Sequence, residues 1–243
     1  MQQIIIDHLR MTKITARYIP KQLTDFQRNE RVRICEENLA RFRDGTWRLW
    51  NVVTGDESWF YHRQSGRKSS NAAWVAKSDP PPTIVRRDRF APKTSFSIFF
   101  KSTGLERGQT IDHRYYIDNC LQPLVDEIRQ QRPSYGTDRI VLQQDKAKPH
   151  VHRHVSEYLQ SEGITTIPHP PNSPDLAPRD FWLFDFIKRD LSHQNDTQSL
   201  HNAVTEFMYS LSTEEYRKTF DKWIGRMQVC VDNHGHYFEH LMK

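Results

Sequence analysis

The chain has 243 residues, 27% of them charged, and a formal net charge of +5: enough length for one large domain under a polar surface, and too little net charge to imply a nucleic-acid partner by itself. No run of about 18 apolar residues exists, which excludes a transmembrane helix, and the opening M-Q-Q-I-I-I-D-H-L-R lacks the basic flank and long apolar region of a secretory signal. Three well-separated cysteines (Cys35, Cys120, Cys230) with no C-x-x-C pair argue against a disulfide framework or zinc site and for a reducing, intracellular setting.

Residues 1 to 46 read as helical. Thr24 and Gln27 form a capping box, Val32, Cys35, Leu39 and Phe42 recur at helical spacing, and Gly45 stops the helix. Arg17 to Thr24 ahead of it reads as a linker, extended into Pro20. Residues 47 to 53, W-R-L-W-N-V-V, have strand length, so Asp56 is expected at a strand end. From 62 to 101 the chain carries nine Lys or Arg against Asp79 and Asp88, a local excess of +7, interleaved with Trp74, Phe90 and Phe96. Such a segment tracks phosphates or forms a solvated loop. With three prolines at 80 to 82 it reads as a long excursion from a sheet.

Ser95 to Phe100 alternates as a second strand. Gly104 to Gly108 is short for a further one. A helix follows with Ile117, Cys120, Leu121, Leu124, Val125 and Ile128 on one face and a kink at Pro123. Arg139 to Gln144 is the next strand, with Asp145 at its end. Pro149 opens a helix closed by Gly163, and Ile164 to Ile167 is a short strand. Asn172 to Phe184, N-S-P-D-L-A-P-R-D-F-W-L-F, then turns through Pro174 and Pro178 into a helix with Asp180 in its first turn, where the dipole favours an acid. The last two helices carry Leu200, Val204, Phe207, Met208 and Leu211, and, after a Ser212/Glu215 capping box, Tyr216, Phe220, Trp223, Ile224, Met227 and Val231.

Strands early, then helices alternating with strands, imply an α/β fold with a mixed sheet. Sites in such sheets gather at the carboxyl ends of strands. If the first and fourth strands are neighbours, Asp56, Asp145 and Asp180 converge. Converging carboxylates repel one another unless a cation neutralises them. Oxygen-only donors suit Mg²⁺ or Mn²⁺, and such ions support in-line phosphoryl displacement. Ordinary capping by three acids at element ends is the alternative.

The motifs Y-I-P-K-Q-L-T (18–24), T-G-D-E-S-W (54–59), G-R-K-S-S-N-A-A-W (66–74), Q-D-K-A-K-P-H (144–150) and H-P-P-N-S-P-D-L-A-P-R-D-F (169–181), with 34 residues between Asp145 and Asp180, resemble the catalytic region of mariner-type transposases of the Tc1/mariner superfamily. The resemblance runs from about Ile14 to Phe238. It implies a ribonuclease-H-like fold, with a helical subunit-contact segment at 1–46 and a catalytic domain at 47–243. It implies a metal-dependent DNA endonuclease and strand transferase that performs cut-and-paste transposition at TA targets with Mg²⁺, for which Mn²⁺ can substitute. Double-stranded DNA, a homodimer and a nuclear location follow from it; a membrane, a small-molecule cofactor and a methyltransferase activity do not. Asp56, Asp145 and Asp180 match the metal-binding acids. The segment 62–90, with Arg63, Arg67, Lys68, Arg86, Arg87 and Arg89, matches a clamp loop that reaches DNA and the partner subunit.

Four departures from the family pattern stand out. The helix-turn-helix units that precede this region and recognise transposon ends are absent from the sequence. Lys146 stands where Asn is usual and puts a cation beside the metal site; Lys148 replaces Arg. The shortness of Gly104 to Gly108 suggests that the third, edge strand is missing. These marks open an alternative: a catalytically inactive, transposase-derived DNA-binding or dimerising module. Among single residues, Asp175 is a rival third acid, read here as a turn cap. Glu57 is expected on the opposite strand face from Asp56. His150 is read as surface or helix-start packing, with modulation of the site as the second possibility; His169 is structural. Trp182, Phe184 and Phe186 are core or subunit-contact aromatics.

Overall fold

The computed structural model describes residues 19–62, 92–102, 104–107, 116–147, 150–191 and 194–242. Strand β1 (Val52–Tyr61) pairs antiparallel with β2 (Lys93–Lys101), and β2 with β3 (Gly104–Arg107). β1 also pairs parallel with β4 (Val141–Gln143), and β4 with β5 (Thr165–Ile167), giving one mixed sheet in the order β3-β2-β1-β4-β5. The first and fourth strands are thus neighbours, in the ribonuclease-H-like arrangement. The helices are α1 (Asp25–Arg43), α2 (Gln122–Gln131), α3 (Arg153–Ser161), α4 (Phe184–Asp190), α5 (Thr197–Ser210) and α6 (Thr213–Asp232). Among the described residues no helix is long and apolar enough to cross a membrane.

Strand alternation sorts the two faces. Val52, Phe60, Phe96, Ile98, Phe100 and Val141 join one core with residues of α1, α4, α5 and α6. Val53, Phe99 and Leu142 join a second core with Leu124, Val125 and Ile128 of α2 and Val155 and Leu159 of α3. The capping boxes at α1 and α6 form as the sequence indicates: Thr24 Oγ1 accepts from Gln27 N, Gln27 Oε1 from Thr24 N, and Ser212 Oγ from Glu215 N. Ile34, Cys35, Asn38 and Leu39 then bury the α1 face that packs on α6. At Pro123 the expected kink takes the form of a π-helical turn, Ile117–Leu121, just ahead of α2. Proline donates no hydrogen bond and crowds the preceding turn, and the wider coil makes room for it.

The structure corrects two expectations. β1 does not occupy residues 47 to 53: Leu49–Asn51 is a 3₁₀ turn and the strand runs to Tyr61, so Asp56 lies within a strand. Thr54-Gly-Asp-Glu reads as a turn by propensity. Nine paired positions with β2, from Val53↔Lys101 to Tyr61↔Lys93, override it. Asp56 still sits just past the parallel pairing with β4, which ends at Thr54↔Gln143. The edge strand is also present: β3 pairs Phe100↔Leu105 and Lys101↔Gly104, with an irregularity between Phe99 and Phe100. Two residues separate β2 from β3, the length of a tight hairpin, so four residues suffice for the edge.

Gly55 permits the packing between β1 and β2. A Cβ there would lie 2.2 Å from the Phe99 ring, itself held in the second core. Gly55→Ala is therefore expected to destabilise by about 1–3 kcal/mol through overpacking, seen as a lower denaturation midpoint at an unchanged m-value.

Candidate active site

Asp180 owes its position to the turn that precedes it. Pro174–Leu176 forms a 3₁₀ turn, and Arg179–Leu183 a π-helical turn that leads into α4. Side chains of α6 hold the first of these: Trp223 Nε1 donates to Leu176 O at 2.7 Å and Arg226 Nη1 to Asp175 O at 2.8 Å. From α1, Arg31 donates to both Asp175 oxygens, at 2.8 and 2.5 Å, and to Ser173 Oγ at 2.6 Å. Arg31 Nε donates to Gly235 O, and its guanidinium lies 4.9 Å from the Tyr237 ring centre. Asp175 is thus neither a turn cap nor free as a third acid: Arg31 engages both its oxygens. Gly235, at φ 73°, allows the close approach, since a Cβ would lie 2.3 Å from Arg28 O.

Asp56 lies on the same sheet face as Val52 and Phe60, the side covered by α4. Both of its oxygens are engaged. Oδ1 accepts from Glu57 N at 2.7 Å and Oδ2 from Arg179 Nε at 2.7 Å. Arg179 is fully buried. Its Nη1 donates to Gly55 O at 2.6 Å, with Gln143 Oε1 at 3.1 Å, Gln143 O at 3.3 Å and Thr54 Oγ1 at 3.4 Å also in range. Its Nη2 is buried with no partner among the described residues. Glu57, on the opposite face as expected, accepts from Ser97 Oγ.

Asp145 lies two residues past β4. Its Oδ1 accepts from Ala147 N at 2.9 Å and pairs with His150 Nδ1 at 2.7 Å. His150 is not at the surface: it is buried, 4.6 Å from the Tyr116 ring, with Nε2 3.1 Å from Glu57 Oε2, in ion-pair range but out of line for a hydrogen bond. Burial alone would raise the Asp145 carboxyl; the His150 and Ala147 hydrogen bonds outweigh it and hold the group down at about 2. Burial likewise opposes charge on His150, yet Asp145 and Glu57 raise it to about 9. The pair is thus charged at neutral pH. The His150 contribution is fully present below the ordinary histidine value of 6.5 and is lost as pH rises through about 9, and the Asp145 contribution is present above 3.8 and lost as pH falls through about 2. His150→Ala should therefore lower thermal stability at pH 7 and do so less above pH 9, in melts followed by circular dichroism.

Asp180 has no ion-pair partner among the described residues. Burial first, then repulsion from Asp56 and Asp145, raises its carboxyl to about 6 against the pull of Arg179. Burial raises Asp56 as well, with Asp145 and Glu57 adding to the effect and Arg179 opposing it. The three acids are therefore within electrostatic reach of one another, in a cluster that still favours added positive charge. Among the described residues they do not form a metal-enclosing group. His169 is buried and paired through Nδ1 with Gln143 Nε2; burial and the nearby Arg179 lower it to about 3, so it is neutral and structural. Phe184 is buried in the core, with Trp182 packed on Tyr216 and Phe186 on Phe207.

Lys146 is exposed. The buried cation among the acids is instead Arg179. One signal was available: a basic residue at a helix start opposes the dipole and calls for a partner. Arg63, Arg67, Lys68, Arg86, Arg87, Arg89 and Lys148 lie outside the described residues.

No family model matches the chain. It is 30% identical over 251 residues to the Mariner Mos1 transposase of Drosophila mauritiana, covering 98% of this chain and 71% of that one. It is 28% identical to the human histone-lysine N-methyltransferase SETMAR, over 97% of this chain and 35% of that protein. Among solved structures it resembles the mariner Mos1 paired-end complex with Mg, at 29% identity and a TM-score of 0.85 over 98% of this chain and 72% of that one.

Proposed function

Since the chain belongs to the mariner family of DNA transposases, we propose that it cleaves DNA phosphodiesters and transfers DNA strands, with Asp56, Asp145 and Asp180 as the acids that hold a divalent metal. What supports the reading is that these acids act electrostatically on one another beside the parallel β1–β4 pair, where burial and mutual repulsion raise Asp56 and Asp180. The donor set is all carboxylate oxygen, which fits Mg²⁺ or Mn²⁺. The Asp180 carboxylate and the second oxygen of Asp145, neither engaged by a hydrogen bond or ion pair among the described residues, would hold such an ion, and Asp56 would add to them only on release from Arg179. Once bound, the ion supplies Lewis acidity for attack at phosphorus and for the leaving oxygen.

The chain's own residues prepare the site. His150 fixes the Asp145 carboxylate, and the Arg31–Asp175 pair seats the turn ahead of Asp180. The basic segment 62–90 supplies phosphate contacts. The substrate is double-stranded DNA, as transposon ends and a TA target, handled by a homodimer in the nucleus. A pre-cleaved oligonucleotide with a free 3′-hydroxyl tests the reading. It should join plasmid DNA at TA steps with Mg²⁺; joining without TA preference, or none by a folded dimer, counts against it. A catalytically silent DNA-binding module is the second reading. The Arg179–Asp56 pair favours it, whereas the presence of β3 removes one of its grounds.

A further inference from the structure

We propose that Arg179 is a resident cation that holds Asp56 out of the metal site, so that the resting chain takes a divalent ion through Asp145 and Asp180, and three-acid coordination requires the Arg179–Asp56 pair to break. The proposal deepens the transposase reading and rests on it.

The three acids are not equivalent. Both Asp56 oxygens are engaged, Oδ1 by Glu57 N and Oδ2 by the charged Arg179 Nε, each at 2.7 Å. At Asp145 the hydrogen bonds fall on Oδ1, leaving Oδ2 for a ligand. Asp180 has no ion pair among the described residues. Arg179 cannot simply swing away. It is fully buried, and Nη1 is anchored on Gly55 O within β1 and on Gln143 Oε1 at the end of β4. Releasing Asp56 would leave Nε as unpartnered as Nη2 already is, a costly state in a buried site. The Arg179 guanidinium, fixed by these bonds beside the acids, repels an incoming cation. Full coordination therefore competes with a fixed guanidinium, and occupancy of Asp56 is gated by whatever shifts the Arg179–Leu183 turn.

The test is Mn²⁺ binding by the folded chain, read from the loss of the free-ion electron paramagnetic resonance signal, with folding checked by circular dichroism. Asp145→Asn should weaken binding by about a hundredfold or more, because it removes a ligand, while Asp56→Asn, which removes only a nearby charge, should weaken it by about tenfold. Arg179→Gln keeps a donor for Gly55 O, removes the charge, and should tighten binding by about tenfold or more. Should Arg179→Gln fail to fold, the comparison of Asp56→Asn with Asp145→Asn decides alone. Equal losses in those two variants overturn the proposal and leave the transposase reading standing. Absence of Mn²⁺ binding in every folded variant, Arg179→Gln included, overturns both.

Discussion

Arg31→Ala is expected to cost about 3–5 kcal/mol of folding stability, the typical result of removing one partner from a buried ion pair. Arg31 is fully buried and Asp175 nearly so. The substitution leaves Asp175 without its two charge-assisted bonds and frees Ser173 and Gly235 O as well. A loss of this size rivals the whole stability of many domains. Urea titrations should show a midpoint shift at constant m-value. Arg31→Lys should recover only part of the loss, since a lysine ammonium cannot span both carboxylate oxygens. A change under about 1 kcal/mol would mean that the pair is dispensable and that α6 alone seats the turn ahead of Asp180.

Asp180→Asn is expected to separate stability from catalysis. In the metal-free chain the Asp180 carboxyl sits at about 6, above its ordinary 3.8. The folded state therefore holds that proton more tightly than the unfolded state. Stability from this group is fully present below about pH 4, falls as pH rises towards 6, and is absent at pH 7. That difference corresponds to about 3 kcal/mol, so the neutral asparagine should stabilise the apo chain at pH 7 by up to about that amount. The advantage should shrink towards pH 4 in thermal melts. DNA cleavage should fall by about a thousandfold or more, since a metal-holding acid is lost. Equal melting temperatures at both pH values would refute the electrostatic account of this acid, and undiminished cleavage its catalytic role.

What was legible in the sequence followed from local pattern. Capping boxes and apolar spacing fixed α1 and α6, and apolar runs located β2, β4 and β5. Asp145 and Asp180 were placed by the strand and helix next to them. The misreadings came where distant residues decide. β1 runs through Asp56, Glu57 and Ser58, polar residues that only the β2 partner holds extended. β3 draws its order from the β2 edge rather than from four residues of its own. Arg31 and Asp175 meet across 144 positions, and Arg179 reaches Asp56 across 123. No spacing rule spans such distances. His150 read as helix-start packing because nothing in its neighbourhood announces Glu57, which comes from another strand.

Nicking of supercoiled plasmid at saturating Mn²⁺, with the wild-type chain and Asp145→Ala compared at equal, verified folding, tests the three-acid site most directly. Conversion to open circles by the wild type, and its loss in Asp145→Ala, is the predicted result. Equal nicking by both, or none by a folded wild type that binds DNA, would contradict the three-acid site.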